Sequence, residues 1–96
     1  MVEYNLPVEY NRLSPSEKKA VRIQYMREQN GECYHCGTPL SSEPSKEVLD
    51  AWIDWRLFPK NFQKYPIHLH HDHDTGLTLG AVHNRCNAYL WQYLGE

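Results

Sequence analysis

Hydrophobic and polar positions divide the chain into an arm, a helix, a long irregular middle, and a hairpin that runs into a second helix. Residues 1–13 have no regular period and are interrupted by Pro7, which predicts an irregular arm anchored by Tyr4, Leu6 and Tyr10. "SPSE" then reads as a helix start: Ser14 can cap, Pro15 suits the first helical position, and Glu17 completes a capping box. Ala20, Val21, Ile23, Tyr25 and Met26 make a broad apolar stripe and Gly31 is a good stop, so a helix is expected over 14–30. "CYHCG" follows as a tight turn, and 37–47 as a loop of Gly, Pro, Ser and charge. Over 48–58 the positions Val48, Leu49, Trp52, Ile53 and Trp55 fit a helix or a strand, and the pattern leaves both open. Pro59 and Pro66 bracket a basic, aromatic connection with Lys60, Phe62, Lys64 and Tyr65. "IHLHH" reads as a strand, "DHDTG" as a turn and "LTLGAV" as a second, alternating strand. Ala88, Leu90, Trp91 and Leu94 predict a helix from Asn84 to Leu94.

Elements this short in a chain of 96 residues make one domain, 1–96. Its apolar fraction of 41% and charged fraction of 23% suit a folded chain rather than a disordered one. Domains of this size bury only about 60–65% of their unfolded surface and often need a staple. Three cysteines cannot all pair, so a disulfide framework is a poor explanation of that staple. Six histidines, four of them between His68 and His73, point to metal instead. The net charge of −2 excludes a histone-like coat held on DNA by charge alone, while leaving room for a small basic face. The N-terminus lacks the basic and apolar regions of a signal peptide, and no apolar run approaches a bilayer's thickness. Unpaired cysteines without an export signal lead us to expect a reducing cytoplasm, with no secretion and no membrane partner.

Cys33 and Cys36 are separated by two residues, and so are His83 and Cys86. Such spacing lets a tight turn aim two ligands at one ion, and two such pairs complete a tetrahedral site. Cys33, Cys36, His83 and Cys86 are therefore the expected ligands of a structural zinc ion. The bland alternative makes the cysteines small core residues. His35, inside the first pair, is spaced too tightly from both cysteines to compete.

In "HLHHDHDTG", His68 and His70 would share one strand face while His71 points to the other. A strand that ends at His70–His71 removes the conflict, because the turn can swing one of the two rings. The stretch "HLHHDHDTGLTLGAVHNRCNAYL", preceded by "CYHCG", resembles the ββα-metal nucleases of the HNH (His-Me finger) type. Within them it is most similar to the recombination endonuclease VII family of phages, over 28 of the 96 residues. The resemblance implies an α+β fold: a zinc-stapled ββα core over 67–94 with an N-terminal helix packed on it. It implies a metal-dependent endonuclease acting on DNA, with His71 as general base and His73 near the scissile phosphate. His70 and Asn87 are implied as ligands of a catalytic divalent ion such as Mg²⁺ or Mn²⁺. It also implies a phage or bacterial cytoplasmic setting, with phage packaging or recombination partners.

The chain departs from that pattern in places. His70 stands where the family usually has Asp, and His83 where it usually has the third zinc cysteine. Thirty-three residues separate Cys36 from His70, a longer connection than is usual, and the dimer-forming C-terminal region of junction-resolving members is expected to be lacking. That last absence weakens the expectation of junction resolution without touching phosphodiester cleavage. Phosphate contacts are expected from Arg85, Lys60 and Lys64, with Lys18, Lys19 and Arg22 as further cations. Trp52, Trp55, Phe58 and Phe62 read as core before they read as base-stacking groups.

Two rival readings share these residues. "HLHHDH" also satisfies the H-x-H-x-D-H pattern of binuclear zinc hydrolases with the metallo-β-lactamase fold, through His68, His70, Asp72 and His73. Those enzymes need about twice this length and more downstream ligands than His83. The other rival is a non-catalytic zinc module that binds nucleic acid or protein, which has no use for His70–His71 opposite Asn87.

Overall fold

The first helix begins where its side chains close a ring of bonds. In the computed structural model, which describes residues 3–95, the Glu17 amide donates to Ser14 Oγ at 3.2 Å and the Ser14 amide to Glu17 Oε1 at 2.9 Å. Helix α1 (Pro15–Glu28) follows from that capping box. It ends earlier than expected, because Asn30 and Gly31 both take positive φ and carry the chain away. The packed stripe is also narrower than expected. Val21 is buried and Tyr25 and Met26 pack partly against the core, whereas Ile23 is half exposed.

Strands β1 (Ile67–His71) and β2 (Thr78–His83) pair antiparallel as a two-stranded sheet, from Ile67 opposite His83 to His70 opposite Gly80. His71 then pairs with Thr78, so the register breaks between His70 and His71 and Leu79 is the extra residue. The connecting turn is held by Asp72, whose Oδ1 accepts from the amides of Asp74 at 2.7 Å and Thr75 at 3.1 Å. Helix α2 (Lys46–Asp50) lies earlier in the chain, and helix α3 (Asn84–Leu94) starts directly at the end of β2.

The stretch left open between helix and strand is neither throughout. It divides into α2 and a 3₁₀ turn at Trp55–Leu57, which the Asp54 carboxylate caps through the Arg56 amide. Val48 and Ile53 are buried there, while Trp52 is 66% exposed.

The main buried cluster joins Cys33, Leu40, Val48, Ala81, Val82 and Cys86. The arm is irregular, apart from a 3₁₀ turn at Tyr10–Arg12, but it is fixed at several points. Gln24 clamps the Tyr4 backbone by accepting from its amide and donating to its carbonyl, both at 2.9 Å. The Val8 amide donates to Thr78 Oγ1 at 3.0 Å, and the Tyr10 amide to the Gly76 carbonyl at 2.9 Å. Residues 1 and 2 of the predicted arm and Glu96 lie outside the described residues. Among the described residues, no helix is long and apolar enough to cross a membrane.

Candidate functional site

The ligand atoms of Cys33, Cys36, His83 and Cys86 all lie within 4.8 Å of one another. A tight turn presents the first pair: the Gly37 amide donates to the Cys33 carbonyl at 3.0 Å and the Cys33 amide to that of Thr38 at 2.8 Å. The second pair spans the junction from β2 to α3. His83 Nδ1 is 3.6 Å from both Cys36 Sγ and Cys86 Sγ. Metal–sulfur and metal–nitrogen bonds of about 2.3 and 2.0–2.1 Å at a tetrahedral angle put sulfur and nitrogen about 3.6 Å apart. The spacing therefore matches a tetrahedral ion such as zinc.

The surroundings suit ligation as well. His83 Nε2 donates to the Pro39 carbonyl at 3.0 Å, which fixes the tautomer that leaves Nδ1 facing the thiols. The hydrogen bond between Cys33 and Cys86 holds Cys33 down to about 4 and pushes Cys86 well up, so the two compete for one proton. Burial raises the Cys36 thiol, but the Thr38 hydroxyl and nearby amides outweigh it and leave Cys36 below its ordinary range. A divalent cation relieves this crowding of developing negative charge. His35 is outside the cluster, 5.4 Å from the Tyr89 ring.

A groove of about 850 Å³ lies along β1, and His68, His70, His71, His73 and Asn87 all line it. On a regular strand His70 and His71 would face opposite sides. Here both line the groove, as do the other residues of β1, and the register break opposite them places the extra residue, Leu79, on β2. His70 is almost fully buried, at 1% exposure. His71 lies flat on Tyr10, with centroids 3.9 Å apart and planes at 8°, and Lys18 Nζ sits 4.1 Å above the other part of that stack, the Tyr10 ring. His73 meets His71 edge-on at 4.7 Å, and its Nε2 accepts from Trp91 Nε1 at 2.9 Å. Burial, then the neighbouring His73, His70 and Lys18, push His71 down to about 4, so the ring is neutral at neutral pH.

Asn87 is held through His68. Given a His68 Nε2–H that donates to the Phe62 carbonyl at 2.9 Å, His68 Nδ1 accepts from Asn87 Nδ2 at 3.1 Å. This leaves Asn87 Oδ1, a hard carbonyl oxygen, as the group open to a cation. Sequence reasoning missed His68 as a positioning group, although its i, i+2 relation to His70 was a usable signal. It also missed Tyr10 and Trp91 as neighbours of His71 and His73. No sequence pattern ties an arm residue to a strand 60 positions away.

The expected phosphate-binding residues divide. Lys18, Lys19 and Arg22 line the groove, whereas Lys60, Lys64 and Arg85 do not. Arg85 is engaged elsewhere, where its guanidinium donates to the carbonyls of Val48, Leu49 and Ala51 at 3.1, 3.2 and 2.8 Å and closes the end of α2. Lys60 and Lys64 are exposed beside the groove, and Lys64 Nζ lies 5.6 Å from the Tyr65 ring. Trp55, Phe58 and Phe62 pack on one another, with Phe58 and Phe62 also reaching the groove. Among the described residues, the Cys₃His cluster alone brings together three or more His, Cys, Asp or Glu ligand atoms. The binuclear arrangement of His68, His70, Asp72 and His73 is thus not formed. No family model, no curated protein and no solved structure matches the chain.

Proposed function

We propose that this chain is a metal-dependent endonuclease of the HNH type that hydrolyses DNA phosphodiester bonds. The observation that carries the reading is the convergence of the strand-end pair His70–His71 with Asn87 of α3 on one groove, next to a Cys₃His cluster. In this reading zinc fills the cluster and serves the fold. His70 and Asn87 would hold a Mg²⁺ or Mn²⁺ ion, which when bound neutralises phosphate charge and steadies the leaving oxygen. Two protein ligands leave most of a hard cation's positions to water and phosphate.

His71 takes a proton from the attacking water. Its neutral form is the one that can accept, and a phosphate docked beside it favours the imidazolium, which strengthens the base in the complex. Tyr10 holds the ring by stacking, and His68 keeps the Asn87 amide turned so that its carbonyl faces the groove. His73, with Nε2 occupied by Trp91, has Nδ1–H to donate toward a phosphate oxygen. Lys18, Lys19 and Arg22 attract the backbone. The setting in this reading is a phage or bacterial cytoplasm, with packaging or recombination proteins as partners.

The rival reading, a non-catalytic zinc module, draws on the Tyr10 ring that covers one face of His71. Incubating the zinc-loaded protein with supercoiled, linear and four-way DNA over several divalent ions separates the two. Nicking or cutting that His71→Ala abolishes is expected. Absence of cleavage in every ion would replace the nuclease by the module.

A further inference from the structure

The groove is chemically one-sided in a chain that is acidic overall. Among the described residues it is lined by Lys18, Lys19 and Arg22 and by no carboxylate, although the chain has 12 acidic residues against 10 basic ones. Among the described residues, no carboxylate makes a salt bridge with any of these three cations. All three cations stand on α1, Lys18 and Arg22 one helical turn apart, and line the groove that runs along β1. The connection from 57 to 65 contributes rings to the same groove: Phe58, Phe62 and Tyr65. Phe58 and Phe62 lie 4.7 Å apart, and Phe62 reaches His68 at 4.6 Å.

Proteins that read a duplex insert a convex helix or ribbon into a groove of the DNA. Here the protein surface is concave, and about 850 Å³ is a space for a few nucleotides of one strand. Cations along one element and aromatic faces from another are the two parts that hold an unpaired strand: charge tracks the phosphates and rings accept the bases. We propose that this groove binds single-stranded polynucleotide, with phosphates along Lys18, Lys19 and Arg22 and bases against Phe58, Phe62 and Tyr65. The inference names the substrate class of the nuclease reading and rests on it in taking this groove as the substrate site.

The test is fluorescence anisotropy of the zinc-loaded protein with labelled oligo-dT, oligo-rU and a duplex of equal length, with no Mg²⁺ or Mn²⁺ added. Oligo-dT or oligo-rU should bind more tightly than the duplex, and whichever is tighter identifies the polymer. The affinity should fall with salt at a log–log slope of about −2 for three contacts, and Lys19→Ala should reduce the slope by about 0.7. Tyr65→Ala, at an exposed position, should weaken binding by about 5- to 150-fold with an unchanged melting temperature. Phe58→Leu, which keeps the packing but removes the ring face, should act in the same direction. Duplex binding equal to or tighter than single-strand binding would overturn the proposal, as would equal affinity for inorganic polyphosphate or indifference to both ring variants. Single-strand binding without cleavage in any ion supports the groove and removes the nuclease. Cleavage confined to duplex DNA keeps the nuclease and removes this inference.

Discussion

Taking the ion from the Cys₃His cluster should unfold this protein rather than loosen it. Two of the six residues in the main buried cluster, Cys33 and Cys86, also belong to the Cys₃His group that could hold a metal ion, so the core and that group share residues. At about 0.05–0.15 kcal/mol per residue, a domain of this length has a net stability of roughly 5–14 kcal/mol. A structural zinc ion contributes on the order of 10–16 kcal/mol at neutral pH. The ion's share is therefore comparable to the entire net stability. The assay is a chelator titration of the purified protein, followed by far-ultraviolet circular dichroism and by a colorimetric indicator of released zinc. One zinc per chain should be released, and the helical signal should be lost in step with it. Cys86→Ser should be insoluble or melt without cooperativity, whereas His83→Cys should still fold, because it keeps four ligands and loses only the bond to Pro39. Metal affinity should weaken as pH falls, since the thiols must shed protons to bind. A chelated protein, or a Cys86→Ser variant, that melts at the temperature of the zinc-loaded chain would refute the reasoning.

His71→Ala should keep the zinc and the fold, losing only the stability of its stack on Tyr10, but lose cleavage by about 10²–10⁴-fold in a supercoiled-plasmid assay. Asn87→Ala should also lose cleavage, and raised Mg²⁺ or Mn²⁺ should restore part of it, a rescue that His71→Ala should not show. Gly80→Ala puts a Cβ 2.8 Å from the Tyr34 ring and from Gln29 Oε1, which itself accepts from the Ala81 amide, so a loss of about 1–3 kcal/mol is expected in urea denaturation. Arg85→Ala leaves three carbonyls at the end of α2 without their charged donor and should cost about 1.5–3 kcal/mol by the same measurement. Lys in its place should restore little, because an ammonium cannot reach all three.

How far these features were legible in the sequence depended on whether their cause was local. Unlike the register break at His70–His71, whose extra residue is Leu79 of the partner strand, the capping box at Ser14 and Glu17, the two metal-ligand pairs and the Asp72 turn each arise from residues a few positions apart. The sequence carries such causes directly. The end of α1 was misjudged by two residues, since Gly31 was read as the stop whereas Asn30 joins it in the left-handed region and the helix closes at Glu28. Arg85 was misassigned for a different reason. A basic residue near a helix start resembles a phosphate ligand, and nothing nearby announces that α2, 34–37 positions earlier, needs its carbonyls closed. Tyr10 on His71 and Gln24 on Tyr4 were illegible because they join segments by contacts without periodicity.

The cluster and the groove are mechanically one device because they meet at consecutive residues. Cys86 and Asn87 occupy the first turn of α3, where successive side chains point about 100° apart. Cys86 turns to the ion-binding cluster and is fully buried, while Asn87 turns to β1 and meets His68. His83, the member of the cluster that closes β2, is paired with Ile67, the first residue of β1. The cluster thus fixes the start of α3 and one end of the hairpin together, and the other end of β1 carries His70 and His71. Between those two ends lies a strand of only five residues, paired to β2 from Ile67 to His71 with one register break. So small a domain can thus hold a strand-end histidine pair and a helical amide in register: a metal ion in that cluster would support its small core and also set the spacing across its groove.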